Sequence, residues 1–372
     1  MRRATLRDQL ALVLACLGTV GAAACRTVPR QNGISAMQID TLWYATARQR
    51  DNNRLAYAIA DSIEYGFYRV AARANIDAMR ASLDLRVIDS GRLSSTEFMA
   101  GLARPSSDSN DVVVLSVHGY KTNHSKAVRD AAESYRRSGS KARWVVFSWP
   151  SAGRGVNWTQ AGGFITGAYR EDSVAAVKSR PAFVRLVNAL HATVGGRRLT
   201  LVTHSMGAQI LSEALSGDSS LQVRLTANPI RAIGFFEPDV PAARFADYSV
   251  PRLTPLASRI ALYASRNDLM LQISRVVNRS DRAGLLGGAP VAVDRIETID
   301  ITDGLSSESF IRRSFGAHHA MRRESGALRD FFEIVVRGEP AECRVLRGSA
   351  LPRGEGSWQL VPFRGTSQAC PR

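Results

Sequence analysis

The chain has 372 residues, 45% of them hydrophobic and 22% charged, and a formal net charge of +16. The hydrophobic share supports a sizeable core, in one large α/β domain or two small ones, and excludes a chain too polar to fold. The basic residues are scattered, with no recognition motif and no interleaved aromatics, so nucleic acid is the weaker partner and anionic headgroups or acidic polymers the stronger.

Residues 1–24 read as an export signal. Arg2, Arg3 and Arg7 form a positive region, Leu10 to Val20 an apolar run too short for a stable transmembrane helix, and Gly21-Ala22-Ala23-Ala24 a small-residue cleavage region. Cys25 follows at once. Small residues before a cysteine resemble a bacterial lipobox, although Ala22 stands where leucine is usual. The expectation is a lipid anchor on Cys25 and an exported, membrane-anchored lipoprotein facing the periplasm or the cell surface. Plain cleavage after Ala24, giving a secreted soluble form, is the alternative. Loss of Cys16 with the leader and lipidation of Cys25 leave Cys343 and Cys370. An oxidising compartment would let these two pair, a bridge worth about 3–4 kcal/mol in the chain-entropy model. Two free thiols are the alternative.

Residues 25–37 are expected to be a tether, 38–339 the folded domain and 340–372 a C-terminal tail stapled by that disulfide. Leu42 to Thr46 and Glu64 to Val70 predict edge strands, and Pro105 to Asn110 a polar linker. Asp111 to Val117 is a mostly apolar, β-branched run of the kind buried on both faces of a parallel sheet, and it ends in His118-Gly119-Tyr120. A helix over Ser125 to Ser138 and a strand over Arg143 to Trp149 follow. A glycine-rich loop through Gly163 then leads to a helix over Glu171 to Val194, interrupted at Pro181. Further strands are predicted over 199–203, 230–236, 260–265 and 293–301, and a closing helix over 325–336. This alternation implies a doubly wound, mostly parallel sheet with antiparallel N-terminal edge strands.

The apolar run Leu199 to Val202 stops at Thr203-His204-Ser205-Met206-Gly207, and an amphipathic run begins at Ala208. Strand, sharp turn and helix with a serine at the apex is the form of a nucleophile elbow, in which Thr203 takes the place of the first glycine and must fit a crowded position. Asp268 follows the strand over 260–265, and His318-His319 follow the last strand, so the order is Ser, Asp, His. Serine needs an adjacent base and the base an orienting acid. Ser205 is the candidate nucleophile, Asp268 the acid and His318 the base, with His319 as the alternative base and Asp239 as a competing acid. The backbone N–H groups of Tyr120 and Met206 are the candidate oxyanion hole. Trp149 and Tyr169 are candidate acyl-pocket walls, and His118 and His204 are expected to hold loop geometry. No His-x-x-x-His or Cys-x-x-Cys spacing occurs, which argues against a metal site, and no cofactor is expected.

These motifs resemble the α/β-hydrolase superfamily, and within it a bacterial esterase/lipase-like branch. That branch carries His-Gly-Tyr-Asn, Phe-Ser-Trp-Pro-Ser, His-Ser-Met-Gly and a late Gly-His. Here they read His118-Gly119-Tyr120-Lys121, Phe147-Ser148-Trp149-Pro150-Ser151, His204-Ser205-Met206-Gly207 and Gly316-Ala317-His318. Tyr169 and Asp172 match its Tyr-x-x-Asp step, and Glu297 to Asp300 its last strand. The resemblance implies a serine hydrolase cleaving a small-molecule or lipid carboxylic ester, while the anchor at Cys25 and the basic charge lead to an expected contact with a membrane surface. The departures are Lys121 for asparagine and the extra Ala317. A catalytically silent, membrane-anchored binding module on the same fold is the rival reading.

Overall fold

Alternate residues of the central strands build two cores. In β4 (Val113–Val117), β6 (Leu199–His204), β7 (Ala232–Phe236) and β8 (Ile260–Ala264) nearly every residue is buried, as both faces of a parallel sheet require. Successive side chains point to opposite faces. Leu115, Leu201, Phe235 and Leu262 therefore pack with Phe183, Leu186 and Leu211 on one side. Val114, Val202, Phe236 and Tyr263 pack with Trp144, Phe331 and Phe332 on the other. The computed structural model describes residues 37–52, 54–73, 85–104, 111–151, 164–286, 296–302, 325–346, 350–354 and 357–360. All of these belong to one compact unit, 37–372. The leader, Cys25, the linker at 105–110, the glycine-rich loop, His318, His319 and Cys370 lie outside the described residues.

The remaining described strands are β1 (Met37–Asp51), β2 (Arg54–Arg73), β3 (Arg86–Leu93), β5 (Arg143–Ser148), β9 (Glu297–Asp300), β10 (Ala350–Gly354) and β11 (Ser357–Leu360). They join one sheet in the order β10-β11-β9-β8-β7-β6-β4-β5-β1-β2-β3. Pairing is parallel from β11 to β1 and antiparallel at the two edges. The doubly wound, mostly parallel α/β sheet with antiparallel N-terminal strands is thus present.

The first two strands are longer than the sequence suggests. Leu42 to Thr46, the predicted stretch, is the part of β1 that pairs with β5, from Leu42 opposite Trp144 to Thr46 opposite Ser148. The rest of β1 pairs with β2 alone, through two register shifts. Its polar residues Arg48, Gln49 and Arg50 carry no apolar alternation to announce a strand.

The predicted break at Pro181 is absent. The helix Phe164–Val194 runs through it for 31 residues. Proline removes one backbone donor, but Phe183, Leu186, Val187 and Leu190 just beyond it are fully buried and hold the helix on the sheet.

The C-terminal residues read as a tail contribute to the sheet instead. The helix Ser325–Asp330 continues as a π-helix, Phe331–Val336, which buries both phenylalanines. The short helix Cys343–Leu346 follows, and β11 then pairs in parallel with β9. Arg344 locks this addition. Its guanidinium is fully buried and donates to both carboxylate oxygens of Asp330 (2.7 and 3.1 Å) and to Glu297 (2.6 Å). The Tyr263 hydroxyl also donates to Asp330, at 2.7 Å. Cys343, which precedes it in sequence, is buried.

Candidate active site

Three neighbouring strands, β4, β6 and β7, run into non-glycine residues with positive φ: Lys121 (56°), Ser205 (53°) and Glu237 (49°). Such residues are uncommon, because the Cβ crowds the backbone in the left-handed region, at a cost of about 1–2 kcal/mol each. All three lie at the carboxyl ends of the strands, where open α/β sheets gather their chemistry.

Ser205 is almost fully buried and forms the turn between β6 and the helix Gly207–Gly217. The turn is tied on both sides. The Ser205 N–H donates to the Phe236 carbonyl at 3.0 Å, and the Ser205 carbonyl accepts from the backbone N–H groups of Ala208 (3.0 Å) and Asp239 (3.1 Å). Close approach explains the glycine at 207. A Cβ there would lie 2.7 Å from the Val117 and His118 carbonyl oxygens and 2.8 Å from Thr203 Oγ1. Thr203 is itself fully buried, so the crowding predicted for it is real. Met206 sits at the start of that helix, where backbone N–H groups have no intrahelical acceptor.

Gly119 brings the His118–Tyr120 loop against the elbow. A Cβ on Gly119 would lie 2.9 Å from Ser205 Cβ and 2.9 Å from His204 Nδ1. Tyr120 follows, its hydroxyl buried without a partner among the described residues and its pKa pushed up to about 12 by burial. Lys121 then turns left-handed, a conformation that asparagine tolerates better than most residues.

Four side chains hold this loop. Asp172, buried on the helix Phe164–Val194, accepts from the Lys121 N–H at 3.1 Å and from Ser151 Oγ at 2.5 Å. Ser151 Oγ in turn accepts from the Thr122 N–H at 3.1 Å. Arg48 of β1, 2% exposed, donates to the carbonyls of Thr122 (2.8 Å) and Ser151 (3.2 Å) and to Ser148 Oγ (3.1 Å). Burial lowers its pKa to about 10. Trp149 donates through Nε1 to the His118 carbonyl at 2.7 Å, and its ring stacks on the His118 imidazole at 5.2 Å. Trp149 is completely buried, so it supports the loop from beneath and presents no wall to a substrate.

His118 is buried, accordingly, as a neutral ring. Desolvation, and then the nearby Arg48 charge, hold its pKa well below the usual value. Burial and Arg48 do the same to His124, whose pKa falls to about 3.

The two aspartates read as acids have different surroundings. Asp239 is saturated. Its Oδ1 accepts from Arg282 Nε (2.6 Å) and Ser274 Oγ (2.7 Å), and its Oδ2 from the Tyr169 hydroxyl (2.8 Å). This is a buried ion pair that fixes the segment after β7, and it also gives Tyr169 a structural task. Asp268 lies just beyond β8, fully buried, with Oδ1 accepting from the Leu271 N–H at 3.0 Å as the N-cap of the helix Leu269–Asn278. The described structure therefore brings Ser205, Gly119, Tyr120 and Met206 together. Two residues of this neighbourhood carry no sequence motif. Arg48 is a lone basic residue in an edge strand, and Glu237 is masked by the following Pro-Asp, which reads as a turn.

A model of a protein family described as an alpha/beta hydrolase of unknown function (DUF900) matches residues 94–315. No curated protein matches the chain. Among solved structures, a "predicted CIB-like hydrolase" from Thermoplasma acidophilum is similar at 10% identity and a TM-score of 0.31, covering 79% of this chain and 99% of that one. A cold-adapted esterase from an Arctic intertidal metagenomic library shares 12% identity at a TM-score of 0.36, covering 79% and 96%. A hyperthermophilic esterase from the archaeon Pyrobaculum calidifontis shares 9% at 0.31, covering 80% and 86%. With the family match spanning more than half of its length, the chain belongs to the DUF900 family of α/β hydrolases.

Proposed function

We propose that this protein is a serine hydrolase of carboxylic esters, with Ser205 as nucleophile, Asp268 as orienting acid and His318, or else His319, as base. The observation that carries the reading is the conformation of Ser205. A buried serine with a φ of 53° ends a central strand and opens a helix, beside Gly207, where a Cβ would lie 2.7 Å from two carbonyl oxygens. Left-handed backbone at a non-glycine residue persists where surrounding structure enforces it, and such strain collects at functional sites. In the proposed reaction Ser205 Oγ attacks the ester carbonyl as the histidine takes its proton. The N–H groups of Tyr120 and Met206 hold the oxyanion. The same histidine then protonates the leaving alcohol, and water cleaves the acyl-enzyme by the reverse sequence. Saturation of Asp239 by Arg282, Ser274 and Tyr169 supports Asp268 as the acid.

A labelled fluorophosphonate tests the nucleophile. The wild-type chain is expected to label at Ser205, and Ser205→Ala to lose both labelling and turnover of a p-nitrophenyl ester. Absence of labelling in the wild-type chain would favour the silent binding module. We further propose anchoring by lipid at Cys25 and a disulfide between Cys343 and Cys370. Mass spectrometry of the exported protein, before and after reduction, reads both.

A further inference from the structure

Glu237 concentrates two costs in one residue. It is completely buried, and a buried carboxylate is expensive unless partnered. It also holds a left-handed backbone at the end of β7, the strand beside the nucleophile's own. The turn is packed tightly from behind, since a Cβ on Gly284 would lie 2.5 Å from the Glu237 carbonyl carbon. The result of this arrangement is a contact, Glu237 Oε2 to His204 Nε2 at 3.3 Å. The other ring nitrogen of His204 faces Gly119, at the same 2.9 Å from a would-be Gly119 Cβ as Ser205 Cβ. Carboxylate, imidazole and glycine thus bridge the ends of β7, β6 and β4 across the Ser205 turn.

We propose that Glu237 and His204 are a positioning pair for the nucleophile. The buried carboxylate fixes the imidazole, and the ring sets the spacing between the Ser205 turn and the Gly119–Tyr120 loop, hence the width of the oxyanion hole. The inference rests on Ser205 being the nucleophile. The pair does not touch the reacting atoms. It acts through the placement of the Tyr120 and Met206 N–H groups, which matters only as negative charge develops.

The experiment uses the full chain, a p-nitrophenyl ester and a fluorophosphonate, with Glu237→Gln, His204→Asn and the double variant. Misplacement of this kind costs about tenfold to a hundredfold in rate. Each single variant is expected to lose that much in kcat and in labelling rate, with KM held within about twofold, because ground-state binding is untouched. The double variant is expected to be no slower than the slower single, since the two residues act as one unit. A Glu237→Gln chain with wild-type kcat would overturn the pair, and so would single effects that multiply in the double variant. If Glu237→Gln does not fold, His204→Asn at the less buried partner decides on the same readouts. A wild-type chain that does not label would remove the nucleophile reading itself, an outcome distinct from a labelled wild type with unaffected variants.

Discussion

Asp172 accepts a hydrogen bond from the backbone N–H of Lys121, 51 residues earlier in the chain, at 3.1 Å. The same carboxylate oxygen holds Ser151, so one buried aspartate on a helix fixes the left-handed turn that follows Tyr120. The Tyr-x-x-Asp step thereby acquires two separate tasks: Tyr169 binds Asp239 after β7, and Asp172 holds the loop after β4.

Asp172→Asn is expected to release the Lys121 turn and lower ester turnover by about tenfold or more, since small displacements of catalytic donors are costly. The loss should fall on kcat. Stability should drop by about 1–3 kcal/mol, the penalty for a buried hydrogen-bonding group left imperfectly paired. Denaturant unfolding and steady-state kinetics on the same preparation check both. A variant with unchanged kcat would remove Asp172 from the support of the oxyanion loop.

Ser205→Gly should fold more stably than Ser205→Ala. Both lack the hydroxyl, but only glycine takes a φ of 53° without strain. Relief of about 1 kcal/mol is expected after the larger chain entropy of glycine is counted. Urea midpoints of the two variants measure it, and a lower midpoint for Ser205→Gly than for Ser205→Ala would show that the turn is unstrained.

The aspartates at 239 and 268 should separate by phenotype. Asp239→Ala leaves Arg282, 3% exposed, as an uncompensated buried charge, which costs about 3–5 kcal/mol of stability. Asp268→Ala removes a helix N-cap, worth about 1 kcal/mol, yet should abolish turnover. If Asp268→Ala retains most of its activity while folded, the acid lies elsewhere.

Acid should weaken the fold through two imidazoles. His118 and His124 have folded-state pKa values below the ordinary 6.5, that of His124 about 3. The unfolded chain takes up these protons near pH 6.5 and the folded chain only far below. Their contribution is therefore complete above about pH 6.5 and is lost as pH falls, by up to about 1.4 kcal/mol per pH unit for each ring. Urea unfolding between pH 7 and pH 5 should show a steep wild-type slope and a shallower one in His124→Gln. Identical slopes would mean that His124 is not the buried neutral ring described.

The central strands and the elbow were legible in the sequence because each rests on local physics. Val113 to Val117, Leu199 to Val202 and Ile260 to Ala264 are mostly apolar runs, and a strand covered on both faces accommodates them between turn residues. His204-Ser205-Met206-Gly207 is a tight turn whose glycine is demanded by neighbouring carbonyls. Long-range partners decided the rest. Nothing local distinguishes Asp239 from Asp268, since both follow strands. Ser274, Arg282 and Tyr169, which saturate the first, come from 35, 43 and 70 residues away. Pro181 reads as a helix break, yet buried side chains beyond it outweigh one missing hydrogen bond. Residues 350–360 read as a tail because short strands with few apolar residues gain their stability from the sheet they join, and Arg344, Asp330 and Glu297 meet only there. Arg48 and Glu237 are charged residues whose burial no sequence pattern encodes. Their cost is met by carbonyls, hydroxyls and an imidazole contributed by other strands and loops, and only the tertiary structure assembles those.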